Sequence, residues 1–332
     1  MNLPDLHTAA SSRTGFAGAC LLVFLLCAGA AAQTLPVTQV GIAIEPVRAG
    51  ARAAAMAESF VADAYDVASM YWNPAALAYL QDFDLQINHS QEQFIKSEDE
   101  NISIPVHLRR SETIAFGASV NHVGYFASQS TVYRALQFGY DVAYAREVLP
   151  TFSVGVMLQA QYAHTSASEH WGMSSLFGFY YYPEPEVSYG VSFGGLGTGI
   201  EYFDRIDSAG STVSHTTILR DAYTPRYLQV GATLRYPADT HDPEFVLAFA
   251  NEKIFNVSGL QYKGGAEYYP WGFIALRGGY IVTPSISYGV FGWGFRTQRI
   301  HLDFAISPNP QTDQAIQISL LVALGKATSS RP

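Results

Sequence analysis

Residues 136–145 read LQFGYDVAYA, and the alternation in this stretch decides the fold. Leu136, Phe138, Tyr140, Val142 and Tyr144 fall on one face of an extended chain. Gln137, Gly139, Asp141, Ala143 and Ala145 fall on the other, because successive strand side chains point to opposite sides. The period recurs. Phe152, Val154, Val156 and Leu158 oppose Ser153, Gly155, Gln159 and Gln161. Leu228, Val230, Ala232, Leu234 and Tyr236 oppose Gln229, Gly231, Thr233 and Arg235. Ile300, Leu302, Phe304 and Ile306 oppose His301, Asp303 and Ala305. A transmembrane strand shows this pattern, with apolar residues toward lipid and polar residues toward a lumen. A soluble β-sandwich shows the same period, so composition must separate them. Only 14% of the residues are charged, against about 25% in soluble domains. The 21 Tyr, 20 Phe and 28 Gly residues, without an apolar run of about 20 beyond the N-terminal region, favour a membrane barrel. Tyr125-Phe126, Tyr180–Tyr182 and Tyr268-Tyr269 with Trp271 lie near segment ends, where an interfacial aromatic girdle would sit.

The same reading along the chain predicts strands at 83–93, 101–109, 112–125, 133–147, 151–166, 172–182, 186–200, 225–237, 243–250, 258–270, 273–283, 286–297, 299–307 and 314–324. About fourteen strands is an even number, as single-chain bacterial barrels require. Connections alternate between short turns, near 109–111, 148–150, 183–185, 270–272 and 297–299, and longer links. Short turns belong on the periplasmic side and long loops outside. Residues 201–224 are then expected to form the longest external loop, charged through Glu201, Asp204, Asp207, Arg220 and Asp221. Gly210-Ser211 would make it flexible.

The first residues predict an export signal. Arg13 precedes the apolar core CLLVFLLCAGA, and small residues follow at Ala28, Ala30 and Ala32. The expected organisation is a signal peptide over 1–32, an N-terminal hatch over 33–80, a barrel over 81–324 and a tail over 325–332. Cys20 and Cys27 are the only cysteines, and both lie in the signal. The mature chain is thus expected to lack thiols, disulfides and cysteine-based metal sites. A net charge of −9 argues against a nucleic-acid partner. The histidines show no metal-ligand spacing, and neither a cofactor nor a metal is expected. GVSFG at 190–194 has the spacing of a nucleophile elbow without the strand–turn–helix setting that motif requires. GGLGTG at 194–199 opens no βαβ unit and reads as a bent strand. An enzyme is not expected.

One segment breaks the β rhythm. Residues 52–77, RAAAMAESFVADAYDVASMYWNPAAL, are rich in alanine and predict a compact helical segment. Asn73 suits an N-cap and Pro74 the first helical position. Asp66 suits a cap for a turn bearing Val67, Met70 and Tyr71. The segment is too short to be stable alone and needs a surface for Met56, Phe60, Val61, Met70, Tyr71 and Trp72. The interior of a fourteen-stranded barrel offers one.

The stretch from Gly50 through Ala51 and Arg52 to Trp72, Asn73, Pro74 and Ala75 resembles the N-terminal signature of the PorV/PorQ outer-membrane proteins, relatives of the FadL long-chain fatty-acid transporters. GAEYYPWGFIALRGGY (265–280), HLDFAISP (301–308) and QISLLVAL (317–324) follow in the family's order, so the resemblance spans nearly the whole mature chain. It departs at Ala76, where a glycine is common, and at Leu324, which is followed by GKATSSRP instead of ending on an aromatic. The resemblance implies a fourteen-stranded barrel in the outer membrane with its lumen blocked by an N-terminal hatch bearing Gly50, Arg52, Asp66, Tyr71, Trp72, Asn73 and Pro74. It implies a secretion accessory that binds exported cargo or secretion-system subunits. The alternative is a FadL-like transporter of hydrophobic small molecules.

Two further features bear on that choice. Lys263, Glu267, Arg277 and Asp303 fall on the lumen face. With Asp84, Asp141, Arg235 and Arg299 they could form an internal ion-pair network, because buried charges must be paired. Glu267 is expected to pair with Lys263 or Arg277. Pro105 sits inside the second strand, where a proline marks an edge, a bulge or a gap in the wall.

Overall fold

The computed structural model describes residues 48–63, 66–80, 82–92, 97–109, 111–128, 131–165, 168–208, 211–215, 225–237, 244–255, 257–309 and 313–326. The expected signal, hatch residues 33–47, Gly210 and residues 216–224 lie outside the described residues, as does the tail beyond Lys326.

The strands are β1 (Asp82–Glu92), β2 (Ser97–Arg109), β3 (Glu112–Ser128), β4 (Thr131–Leu149), β5 (Phe152–Thr165), β6 (Ser168–Glu184), β7 (Val187–Ser208), β8 (Ser211–His215), β9 (Tyr227–Tyr236), β10 (Phe245–Ile254), β11 (Gln261–Tyr268), β12 (Ile274–Val282), β13 (Ser287–Arg296), β14 (Ile300–Asn309) and β15 (Asp313–Lys326). Each pairs antiparallel with its neighbours, β1 pairs with β15, and β6 pairs with β7, so the sheet closes on itself. β8 pairs only with the far end of β7. Fourteen strands therefore form the ring.

The alternation expected from sequence sets the two faces of the wall. Tyr140 is 64% exposed while its neighbours Gly139 and Asp141 are buried. Phe291 is 63% exposed beside a small, partly buried Gly292. Leu158, Leu234, Phe249, Leu276, Tyr280 and Trp293 also face outward. An exposed apolar surface of this extent fits a lipid solvent, not water. The girdle expectation needs correction. Tyr268 and Trp271 are exposed, but Tyr180 and Tyr269 are buried inside the ring. Tyr180 and Tyr182 pack on Tyr79, with ring centroids 5.2 and 5.8 Å away.

All fourteen expected strands are present, and several of the long links are shorter than expected. β3 reaches Ser128 and β4 starts at Thr131, where a link over 126–132 was expected. The external loop expected at 201–224 is partly strand: β7 runs to Ser208 and forms a hairpin with β8, from Asp204↔His215 to Ser208↔Ser211. The glycine run at 194–199 is a bulged strand. Leu176 pairs with Gly194 and Ser175 with Leu196, leaving Gly195 between them at φ +77°.

A cation on the outer face separates a lipid-facing wall from a water-facing one. Replacing Phe291 by Arg, midway along β13, should cost about 2–4 kcal/mol in a bilayer. The same change on a wetted surface usually stays within about 0.5 kcal/mol. Urea titration of the barrel folded into lipid vesicles measures the difference.

Candidate functional site

Residues 48–63 and 66–80 lie inside the ring. The helical segment expected from sequence is present as short pieces and not as one continuous run. They form a chain of turns: a five-residue α-helix, α1 (Ala51–Ala55), and two 3-10 helices, Val67–Tyr71 and Pro74–Tyr79. The Asp66 carboxylate accepts a hydrogen bond from the Ala68 amide at 3.0 Å, and the Asn73 side-chain oxygen accepts one from the Ala75 amide at 3.1 Å. Both caps satisfy helix-end amides that lack an intrahelical partner. Pro74 occupies the first position of its helix. So short a helical unit is marginal in water, and here almost every side chain is buried.

The wall is shaped to receive this backbone. A Cβ on Gly190 would fall on the Val61 carbonyl, one on Gly178 on the Asn73 side chain, and one on Gly155 on the Ala75 amide. Gly155 and Gly178 are register partners across β5 and β6. Gly265 and Gly279, partners across β11 and β12, leave room for Met56 and Ala57. Hydrogen bonds complete the seat. Ser153 donates to the Ala75 carbonyl at 2.7 Å, Ser188 to the Ala62 carbonyl at 2.6 Å, and the Ala51 amide to Ser319 at 2.6 Å. The Asn73 amide donates to the Val61 and Phe179 carbonyls at 2.8 and 2.9 Å. Trp72 donates to the Ala49 carbonyl at 3.1 Å.

The charges fall into two clusters. In the first, Arg52 donates to Glu267 at 2.7 Å and to Asp63 at 3.0 Å. Glu267 also accepts from Arg277 at 2.6 Å and from the Tyr269 hydroxyl at 2.8 Å. Arg277 reaches Asp303 at 2.6 Å, and Arg235 reaches Asp63 at 3.2 Å. Three cations meet three anions. In the second cluster, Lys263 pairs with Glu58 at 2.7 Å and with Glu252, and Arg48 pairs with Glu58 at 2.9 Å and with Glu252. Two cations meet two anions. Glu267 thus pairs with Arg277 and not with Lys263, which belongs to the other cluster. Arg299 is no part of either; it is exposed in the turn between β13 and β14. Arg48, Glu58, Asp63 and Glu252 were not singled out from sequence. Only Glu252 has a strand register that could have placed it in the lumen.

A third region carries no cation in its hydrogen bonds. Tyr71 donates to Asp141 at 3.3 Å and accepts from Asn101 at 2.7 Å. Asn101 accepts from Asn88 at 3.1 Å, and Asn88 accepts from Ser319 at 2.6 Å. Nearby, β1 and β2 pair only from Gln86↔Ser103 to Glu92↔Ser97. Beyond Ser103, β2 continues against β3 to Arg109, and β1 runs against β15 from Asp82. Pro105 lies on this stretch of β2, where the ladder to β1 has stopped; it has no amide hydrogen to donate. Among the described residues no group of histidines, cysteines and carboxylates could hold a metal ion.

Solved structures share this architecture. One is a monoaromatic hydrocarbon channel named CymD, at 13% identity and a TM-score of 0.63, covering 84% of this chain and 98% of that one. Another is the Pseudomonas putida toluene transporter TodX, at 12% identity and TM-score 0.57, with the same coverage. A Pseudomonas aeruginosa FadL homologue matches at 12% identity and TM-score 0.52, covering 89% of this chain and 100% of that one. At these identities the likeness is one of fold. No family model matches the sequence, and no curated protein is similar to it in sequence.

Two predictions follow from the charges. Glu267→Leu leaves Arg52 and Arg277 facing each other without their shared carboxylate and should cost about 3–5 kcal/mol. Lys263→Met acts on a separate cluster, so the double variant should lose close to the sum. Unfolding of the folded barrel in denaturant gives all three values. Burial pushes the Asp66 carboxyl up to about 7, against the pull of Arg52 and with the help of Asp63. Its folded value lies above its unfolded value of about 4, so ionisation costs stability as pH rises from about 4 to about 7. Asp66→Asn keeps the cap oxygen and removes that cost. Relative to wild type, the variant should gain stability across this window and hold the gain at higher pH; a pH-independent difference contradicts it.

Proposed function

We propose that this protein is an outer-membrane conduit for small hydrophobic molecules, held shut at rest by residues 48–80 acting as a hatch. The observation that carries the reading is the seat itself: a wall of glycines and neutralised charges built around a segment that fills the ring. A scaffold that used only its outer surface would not need an interior matched to a separate segment. The shared fold with a monoaromatic hydrocarbon channel and a toluene transporter supports the substrate class. The unpaired stretch of β1 and β2 beside Pro105 gives the wall a weak point next to the hatch, and the outward apolar belt suits an outer-membrane location. No step of this reading requires catalysis.

The second reading is a secretion accessory that binds cargo or secretion-system subunits. It rests on the N-terminal signature from Gly50 to Ala75 and on the two ion-pair clusters that tie the segment to the wall.

Transport separates the two. The intact protein, reconstituted into vesicles with a lipopolysaccharide outer leaflet, should speed entry of toluene or a long-chain fatty acid over protein-free vesicles. Removing residues 48–78 should convert the closed barrel into an ion-conducting pore in planar bilayers. A pore on deletion without accelerated entry through the intact protein would leave the scaffold as the better reading.

A further inference from the structure

The two charge clusters have the same chemistry and different access to water. Arg52 and the two carboxylates that hold it are sealed, with Arg52 3%, Glu267 1% and Asp63 0% exposed. In the other cluster Glu252 and Lys263 are sealed, but Arg48 is 27% exposed and Glu58 31%. Arg48 is also framed by aromatic rings. Its guanidinium carbon lies 5.2 Å from the Tyr227 ring centroid and 5.7 Å from that of Trp72. Both rings are buried. Its nitrogens donate to both oxygens of Glu252 and, at 2.9 Å, to Glu58. Carboxylates bonded to both arms of the fork, with two aromatic rings within stacking distance, form an environment selective for a planar, delocalised cation. A sodium ion or an ammonium group can pair with the acids but cannot stack.

We infer that Glu252, Glu58, Tyr227 and Trp72 form a guanidinium-binding site, with the protein's own Arg48 as a resident occupant that can be exchanged from the water-exposed side. The cage is made by β9, β10 and the inner segment together, so its occupancy joins the hatch to the wall. Glu252 stands near the end of β10 remote from the short turns. The ligand class is an arginine side chain or a small guanidinium compound arriving from that side. Arg52 holds its cluster from the sealed interior and cannot be exchanged in this way. The inference goes beyond the conduit reading, and its test involves no transport.

Chemical rescue tests it on the full-length folded barrel. Arg48→Ala should lower the unfolding temperature on heat-shift gels. Millimolar guanidinium or methylguanidinium, far below denaturing levels, should restore most of the loss, as binding to the native state requires. Sodium and ammonium at equal ionic strength should not. Titration calorimetry should show saturable guanidinium binding to Arg48→Ala and much weaker binding to wild type, whose site is filled. Adding Glu252→Gln should abolish the rescue. If Arg48→Ala does not fold alone, the folding yield becomes the readout, and guanidinium but not sodium should raise it. Rescue by every cation alike, or by none, overturns the inference.

Discussion

A buried guanidinium must be surrounded by acceptors, and Arg52 is buried inside the ring between Asp63 and Glu267. Taking one ion from water to an interior costs several kcal/mol unless its charge and its hydrogen bonds are answered. That requirement organises the lumen. Glu267 answers Arg52 and must itself be balanced, because Arg277 also bonds to it; Arg277 then requires Asp303. Asp63 extends the chain to Arg235. The inner segment supplies Arg52 and Asp63, and the wall supplies the rest. Each part is formally neutral by itself, but the bonds from Arg52 to Glu267 and from Arg235 to Asp63 cross between them, so separating the parts would leave buried hydrogen-bonding charge on both sides.

The backbone of the segment imposes a second constraint. A chain of turns carries amides and carbonyls that no long helix or strand satisfies, and buried ones must find partners. Ser153, Ser188 and Ser319 on the wall, and Asn73 within the segment, provide them. Such bonds need close approach, which explains glycine at 155, 178 and 190 on neighbouring strands. These residues are costly in a strand, and they fall where the segment's backbone meets the wall.

The ring was legible in the sequence because lipid enforces period-two alternation, as Leu136 to Ala145 show. Strand ends were not. Glu201 to Ser208 and Ser211 to His215 carry charged and polar residues without a sustained apolar alternation, so no strand was expected there. The caps at Asp66 and Asn73 could be read from local chemistry. The extent of helix within the segment could not be read, since packing against the wall broke it into short pieces despite the helix preference of alanine. Charges on the wall were placed by register, which found Lys263, Glu267, Arg277 and Asp303. The pairing of Glu267 with Arg277 was among those expected, but the partners on the inner segment were missed, because Arg48, Glu58 and Asp63 lie on irregular backbone and Arg52 on a single helical turn, where side-chain directions follow no strand period. The same lack of period hid the contrast between a sealed cluster and an open one.

The central claim is that residues 48–80 are seated within the ring as firmly as the wall itself. Hydrogen–deuterium exchange of the full-length protein in lipid tests it directly. Amides from 51–63 and 66–78 should exchange as slowly as those of β11 to β14 and should be released selectively in Gly190→Leu, whose side chain displaces Val61. Fast exchange of these amides in the wild type, with the strands still protected, would place the segment outside the barrel and contradict the account.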